Sequence, residues 1–414
     1  VTNIDIDGSS VLTPAQTPFT ASTCTPCVSR AWVRNPNWLA MPSLSDGDNI
    51  IYILSAVKDA VNNFFSFTST LTSGSYTVDL YNDGTTVTTH ASAAQADFNL
   101  DYSKGTAEIT TYGDDYKQVI TKITGNFLLP LFNARHASVS NLNLSGILSI
   151  KMASQTTTSL ASSFNNNNAE AILNRFEEFE YVGTCNVTSL RFAFYKCRVL
   201  SKITGNFASV VNMQATFQYS GDVDFSDMQI GSSGSGFFRQ TFTGTRISKI
   251  FNQNFFDNVA DFGQSASSAH FLYLGTPSTP LDWGGFSGGM NEGFSNCTLL
   301  RHAYFQNFTP SSLDRIFNGC GSLETVSGIN CTNVTNSGNA FRYAYSLSTL
   351  EISNMGISFS LEDCNFDQAG LVNVFNDLPS ATATITITDN PGIPDLTAAD
   401  ELIATDKDWT IVKT

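Results

Sequence analysis

At 414 residues the chain exceeds the usual size of a single domain, so two or more domains are expected. Its 36 acidic against 21 basic residues leave a formal charge of −15, which argues against nucleic-acid or anionic-membrane binding, since both depend on neutralising phosphate. Only 14% of residues are charged while Ser, Thr, Asn and Gly abound, a composition suited to a β-rich or solenoid surface and unlike a helical cytosolic enzyme.

Residues 1–30 are Thr-, Ser- and Pro-rich without periodicity and read as an extended arm, such as a strand that docks on another subunit. Asp5-Ile-Asp7-Gly8 lacks the further ligands of a calcium loop and reads as a turn. The opening VTNIDIDGSS has neither the basic head nor the apolar core of a secretory signal. The expectation is that a leader was removed, or that the protein reaches its site another way, such as lysis. No run of 18 apolar residues predicts a transmembrane helix.

The character changes at Ala31. Residues 50–57 form an apolar run of strand length, while 64–71 and 75–81 alternate as strands do. Asn82-Asp83-Gly84 supplies a turn, and a strand follows at Thr85–Thr89. TAEITTY and YKQVITKIT complete an all-β unit over 31–126, predicted to be an immunoglobulin-like sandwich. YTVDLYNDGT resembles the Y-x-V-x-W-G-D-G-T hairpin of PKD-type modules, with Leu80-Tyr81-Asn82 replacing the Trp-Gly pair and adding a residue. The wider string, with Trp32 to Leu39, DYS at 101–103 and YKQVITKIT at 116–124, resembles a version found in tailed-bacteriophage virion proteins.

Residues 127–184 carry irregular first repeats, with Phe132 and Phe164, and an N-terminal cap that includes a predicted helix at 169–179. The regular signal follows over 185–380. Phe194, Phe217, Phe242, Phe271, Phe294, Phe317 and Phe341 are spaced by 23, 25, 29, 23, 23 and 24 residues. A fixed period in the twenties marks a solenoid, whose coils bury their apolar faces only against neighbours. In three copies an apolar residue sits seven before the anchor (Val187, Val210, Val334), and in the clearest copies others follow six and nine after (Leu200 and Ile203; Leu347 and Leu350). Cys197, Cys297 and Cys320 lie three after an anchor, where Ala344 stands in another copy, so this position reads as small and buried. These units resemble the BspA-like leucine-rich repeat, V-T-x-M-x-x-M-F-x-x-C-x-x-L-x-x-L. That resemblance implies coils pairing a short strand with a tight helical turn, the strand falling at the Leu/Ile pair. Nine or ten coils at the strand spacing give a rod on the order of 45 Å. Residues 273–293 interrupt the period as a Gly-rich insertion carrying Trp283, and solenoid insertions collect on one face. Residues 381–414 are predicted to cap the stack, with a short helix opened by Thr397 and Asp400 and a last strand at DWTIV.

The search for chemistry yields little. His90, His136, His270 and His302 lack metal-ligand spacing, and Cys24–Cys27 has no second pair to complete a zinc site, leaving it as a small disulfide loop if extracellular or as free thiols. Gly285 to Gly289 matches G-x-S-x-G as a string, without the strand–helix context a nucleophile elbow needs. Glu177–Glu178 and Asp114–Asp115 are carboxylate pairs that any acidic surface offers. The six Asn-x-Ser/Thr strings, such as those at Asn186 and Asn333, are products of the repeat. Exposed aromatics are the remaining candidates: Tyr273, Trp283, Phe286 and Tyr304, whose faces suit sugar or protein surfaces.

The fold expected is mainly β with short helical turns, a PKD/Ig-like sandwich leading into a leucine-rich-repeat solenoid with a C-terminal cap. The two resemblances together imply a non-enzymatic structural protein of a tailed-phage virion: a capsid decoration, fibre or tail adhesin. It would need no cofactor or metal and would partner with other virion proteins, copies of itself and a host surface glycan or protein. The rival is a bacterial cell-surface adhesin built from the same modules.

Overall fold

The computed structural model describes residues 32–58, 63–108, 116–133, 146–165, 175–230, 238–247 and 262–414. The arm at 1–30, including Cys24 and Cys27, lies outside them, as do His136, Asp114–Asp115 and most of the helix predicted at 169–179. The last two residues of that expected helix, Glu178 and Phe179, instead open a strand. The chain is mainly β, with a β-solenoid of about nine turns over 178–412 and further sheets before it.

The first strands are β1 (Ile50–Lys58), β2 (Asn63–Leu71), β3 (Ser75–Asp79), β4 (Val87–Ala91), β5 (Ala96–Leu100), β6 (Thr106–Glu108), β7 (Tyr116–Thr124) and β8 (Phe127–Asn133). All pair antiparallel, β1–β7–β3–β4 in one sheet and β5–β2–β8 in another, with Phe64, Phe65, Phe67, Tyr76 and Phe127 buried among them. The β3–β4 link is a loop from Leu80 to Thr86, tied by Asp79, whose carboxylate accepts from the Asp83 and Gly84 N–H groups. Asn82 and Gly84 take the left-handed conformation there, as the Asn-Asp-Gly signal requires.

The sandwich is spliced into the solenoid. Strand β9 (Gly146–Ala153) pairs antiparallel with β1 on one side and parallel with β10 (Glu178–Tyr181) on the other. The sheet then continues in parallel through β11 (Lys202–Phe207) to β12 (Asp224–Ile230). Apolar packing is continuous from Ile51 to Trp409, so the boundary drawn at residue 126 falls inside one core, and β8 beyond it belongs to the sandwich. Later coils contribute β13 (Arg246–Ile247), β14 (His270–Phe271), β15 (Tyr273–Leu274), β16 (Leu281–Phe286), β17 (His302–Phe308), β18 (Thr325–Asn330), β19 (Thr349–Ser353), β20 (Phe359–Ser360), β21 (Ala383–Thr386) and β22 (Trp409–Val412). Every pairing among them is parallel, as successive coils wound in one sense demand.

Between the strands each coil makes a tight turn around its anchor. In the unit of Phe194, the N–H groups of Leu190, Phe192, Phe194 and Lys196 each donate to a carbonyl of the next coil, at 2.8 to 3.0 Å. Residues two before and two after the anchor take positive φ: Phe192 and Lys196, Ala215 and Tyr219, Glu292 and Asn296, Arg315 and Gly319. That alternation turns every second N–H along the stacking direction. The anchor rings pile face to face: Phe132 on Phe164 at 5.2 Å, Phe164 on Phe194 at 5.1 Å, Phe194 on Phe217 at 5.5 Å and Phe217 on Phe242 at 5.8 Å. The pile resumes with Phe294 on Phe317 at 5.7 Å and Phe317 on Phe341 at 6.1 Å.

Phe271 is not in this pile, which corrects its assignment as an anchor. Ala266 holds the anchor's backbone place, its N–H donating to Gly293 O at 2.9 Å. Phe262, four residues earlier, fills the missing volume, its ring 6.4 Å from Phe242 and 5.5 Å from Phe294. Phe271 sits in β14 and meets Phe294 edge-on at 5.8 Å.

The small position three after each anchor has a second role. Cys197, Cys297, Cys320 and Cys364 aim Sγ at the anchor carbonyl of the preceding coil, on Phe164, Ala266, Phe294 and Phe341, at 3.1 to 3.5 Å. Ser220 and Thr245 make the same bond through hydroxyls to Phe194 and Phe217, and Asn390 through Nδ2 to Leu361 at 2.8 Å. Cys, Ser, Thr and Asn thus share one site because each is compact and carries a donor. Burial pushes the Cys185 thiol up to about 11 and Cys331 to about 12, and raises Cys197, Cys297 and Cys364 strongly. In a variant carrying Cys24→Ser and Cys27→Ser, iodoacetamide at about pH 8 should modify none of the six remaining thiols until denaturant is added, because only exposed thiolate reacts. Native-state labelling of any of them, located by peptide mass spectrometry, would contradict this packing.

At the C-terminal end, α1 (Gln368–Asp377) is capped by Asp367, whose carboxylate accepts from Gly370 N–H. It buries Leu371, Val374 and Phe375, an i, i+3, i+4 set that the repeat pattern masked in the sequence. The predicted last helix forms as α2 (Ala398–Thr405), with a reciprocal Thr397–Asp400 capping box.

Candidate functional site

Strand alternation divides each coil into an inward and an outward row. In the last large sheet, Leu274, Ala303, Val326 and Leu350 align as neighbours and face the core. The outward residues flank that row. One column runs Tyr273, His302, Thr325, Thr349; the other runs Tyr304, Ser327, Glu351.

The four aromatic candidates separate cleanly. Tyr273 is 48% exposed, and its ring stacks on His302 at 5.6 Å with an interplanar angle of 13°. The His302 ring lies 6.0 Å from Tyr304 at 25°. The structure therefore brings Tyr273 and Tyr304 together, through a histidine that spacing alone did not single out. Trp283 and Phe286 are buried, at 0% and 3% exposure, so their reading as surface groups is corrected. The insertion carrying them is no free loop: its residues Leu281–Phe286 form β16 against β17. Trp283 packs on Phe262, Phe286 and Phe308 at 4.9 to 5.3 Å, in the stretch where the anchor pile lacks a ring at Ala266. Ser287 is exposed at the end of this strand with no helix after it, which removes the nucleophile-elbow context.

Charged and amide groups frame the aromatic trio. Glu324 lies 3.9 Å from His302 Nε2 and 3.8 Å from Arg301 Nη1. On the other side, Asp282 accepts from Gly284 N–H, Gln306 Nε2 and Asn307 Nδ2, and these bonds, the Gly284 N–H foremost, hold its carboxyl below the usual range. The bonds anchor a bulge in β17, where Phe305, Gln306 and Asn307 stand opposite the single residue Gly328 of β18. On the far side of β18 from this bulge, β18, β19 and the end of α1 frame a groove of about 450 Å3, lined by Ser327, Gly328, Asn330, Glu351, Asn354 and Asp377 together with Ile329, Ile352 and Ser353. Within it Ser327 donates to Glu351 at 2.6 Å, and Asn354 Nδ2 donates to Asn330 Oδ1 at 3.1 Å.

The outward face of the sheet formed by β1, β7 and β9 is occupied, and the cover reaches the first coils at β10 and β12. Residues 32–41 lie across it as a strap, with Trp38 packed on Leu54, Ala56 and Leu148. Arg34 ties the strap to Glu178 at 3.2 Å, Gln118 bonds both Leu39 N–H and Asn37 O at 2.7 Å, and Trp32 N–H reaches Asp224 at 3.3 Å. Beneath it Lys202 is held between Asp224 and Asp227. Burial alone would raise the Asp224 carboxyl, but the Ser226 N–H and hydroxyl with the Lys202 ammonium bring it below the usual range. Glu178, one of the paired carboxylates, is engaged here by Arg34 and Ser149.

Among the described residues no group of three or more His, Cys, Asp or Glu side chains is placed to hold a metal ion, and no helix is long and apolar enough to cross a membrane. The outward residues that matter, His302, Tyr304, Ser327 and Glu351, fall eight or ten positions after an anchor, flanking the apolar ninth. Reading those two columns across copies is the sequence signal that finds them. Comparisons with protein-family models, curated proteins and solved structures gave no match.

Proposed function

We propose that the chain is a non-enzymatic structural and surface-binding protein of a tailed-phage particle. Its sandwich docks on the particle or on copies of itself, and its solenoid presents the outward face of β15 to β19 to a host surface. The observation that carries the binding role is the open Tyr273–His302–Tyr304 stack, held on parallel strands whose inner row is buried. Rigid aromatic side chains on a fixed sheet lose little freedom on contact, which is what a recognition surface needs. The virion assignment rests on the PKD-type and BspA-like resemblances of the sequence.

The test is host-cell binding by the purified, fluorescently labelled protein. Tyr273→Ala with Tyr304→Ala should lower cell binding at least about tenfold. The same pair should shift unfolding stability by less than about 1 kcal/mol, since neither ring is in the core. Retained binding by the double variant would sink the surface assignment. Immunogold labelling decides the setting: gold on particles supports the virion reading, and gold confined to bacterial envelopes replaces it with the adhesin.

A further inference from the structure

We infer that the groove beside Tyr304 is a subsite for a neutral, hydroxyl-rich oligosaccharide, with the aromatic trio as its stacking platform. This deepens the surface-binding reading above and rests on it. Tyr304 and Ser327 are direct neighbours across β17 and β18, and Ser327 neighbours Glu351 across β18 and β19, so platform and groove are contiguous. Gly328 lines the groove with φ +87°, and a Cβ there would be driven into the Phe305 carbonyl oxygen of β17. Only glycine lets β18 run this close to β17 beside the groove.

The lining sets the ligand chemistry. Glu351 and Asp377 supply carboxylate oxygens, Asn330 and Asn354 amide groups, and Ser327 a hydroxyl, a set that both accepts from and donates to sugar hydroxyls. No lysine or arginine lines the groove, and the chain carries −15 overall, so sulfated or uronic-acid chains are repelled. The weakly positive C–H face of a pyranose fits against the negative π-face of a tyrosine ring, while its edge hydroxyls reach polar groups beside the platform. A protein ligand would favour an apolar recess at this point; only Ile329 and Ile352 line this one, and both are buried. The strap lies over β1 and β9 and touches the solenoid at Glu178 and Asp224, in its first coils and away from this groove.

The test is isothermal titration of the full chain with cellohexaose, laminarihexaose and chitohexaose, with hyaluronan as the anionic control, all in EDTA so that no cation contributes. At least one neutral hexaose should bind saturably and hyaluronan should not. Tyr304→Ala and Glu351→Gln should each weaken that binding about tenfold or more, while Tyr345→Ala, an exposed tyrosine of a turn, leaves it unchanged. Absence of saturable binding by all three neutral hexaoses at millimolar concentration overturns the inference, as does unchanged affinity in both groove variants. Loss of cell binding in the Tyr273/Tyr304 double variant without oligosaccharide binding would leave the surface reading standing and refute this subsite alone.

Discussion

Phe194→Ala is expected to destabilise the protein by about 3–5 kcal/mol, the range for truncating a fully buried phenylalanine. The ring is wholly inaccessible, stacked between Phe164 and Phe217 and met by Phe179 at 5.2 Å. No neighbouring ring can fill the gap, because each is held by its own coil's hydrogen bonds to the next. In a solenoid the loss falls on one coil and its two interfaces, so denaturant unfolding should also lose cooperativity and show a reduced slope. Tyr345→Ala, at 61% exposure, is the control and should move stability by no more than about 0.5 kcal/mol. A Phe194→Ala midpoint equal to the parent's would mean that the ring pile is not the core.

Gly328→Ala should cost at least about 2–3 kcal/mol although it adds a single methyl group at an exposed strand position. The left-handed φ of +87° alone costs a non-glycine residue about 1–2 kcal/mol. The remainder comes from the clash with the Phe305 carbonyl oxygen, which is backbone and has no flexible end to swing aside. Relief requires β17 and β18 to separate at the bulge, weakening the pairing that runs from His302–Thr325 to Phe308–Ile329. Urea unfolding measures the cost, and a drop below about 1 kcal/mol would show that the bulge is soft. Gly321→Ala is the matched control: its φ is not left-handed, and the nearest atom to the added Cβ is Tyr345 Cδ2 at 3.5 Å, an ordinary contact.

Much of the second half was legible because a solenoid asks the same of every coil. Phe194, Phe294, Phe317 and Phe341 recur because each must pack on the equivalent residue of an adjacent coil, and that demand prints a period on the sequence. Leu350 and Val326 fall in strands as expected, while Leu200 precedes its strand, since the chain is still turning six residues after the anchor. The period misled where a coil is built differently. Phe271 keeps an anchor's spacing, but Ala266 holds the anchor's hydrogen bonds and Phe262 the anchor's space, an exchange that leaves volume conserved and order lost. The Gly-rich stretch around Trp283 looked like a loop because glycines usually signal one, yet it pairs as β16 and carries Trp283 into the core against Phe262, Phe286 and Phe308.

The sequence by itself determined the repeat, the stacking it enforces, the small buried site three after the anchors and the acidic, sparsely charged composition. These depend on contacts between equivalent residues of adjacent coils, and such contacts are periodic. Only the tertiary structure decided that the sandwich is continuous with the solenoid through β9, that the 32–41 strap covers one stretch of the outer face, and that Tyr273 meets Tyr304 across His302 near a groove lined by Ser327, Gly328 and Glu351. Each of these joins segments that share no period, so their meeting follows from how the whole chain closes and from no spacing along it.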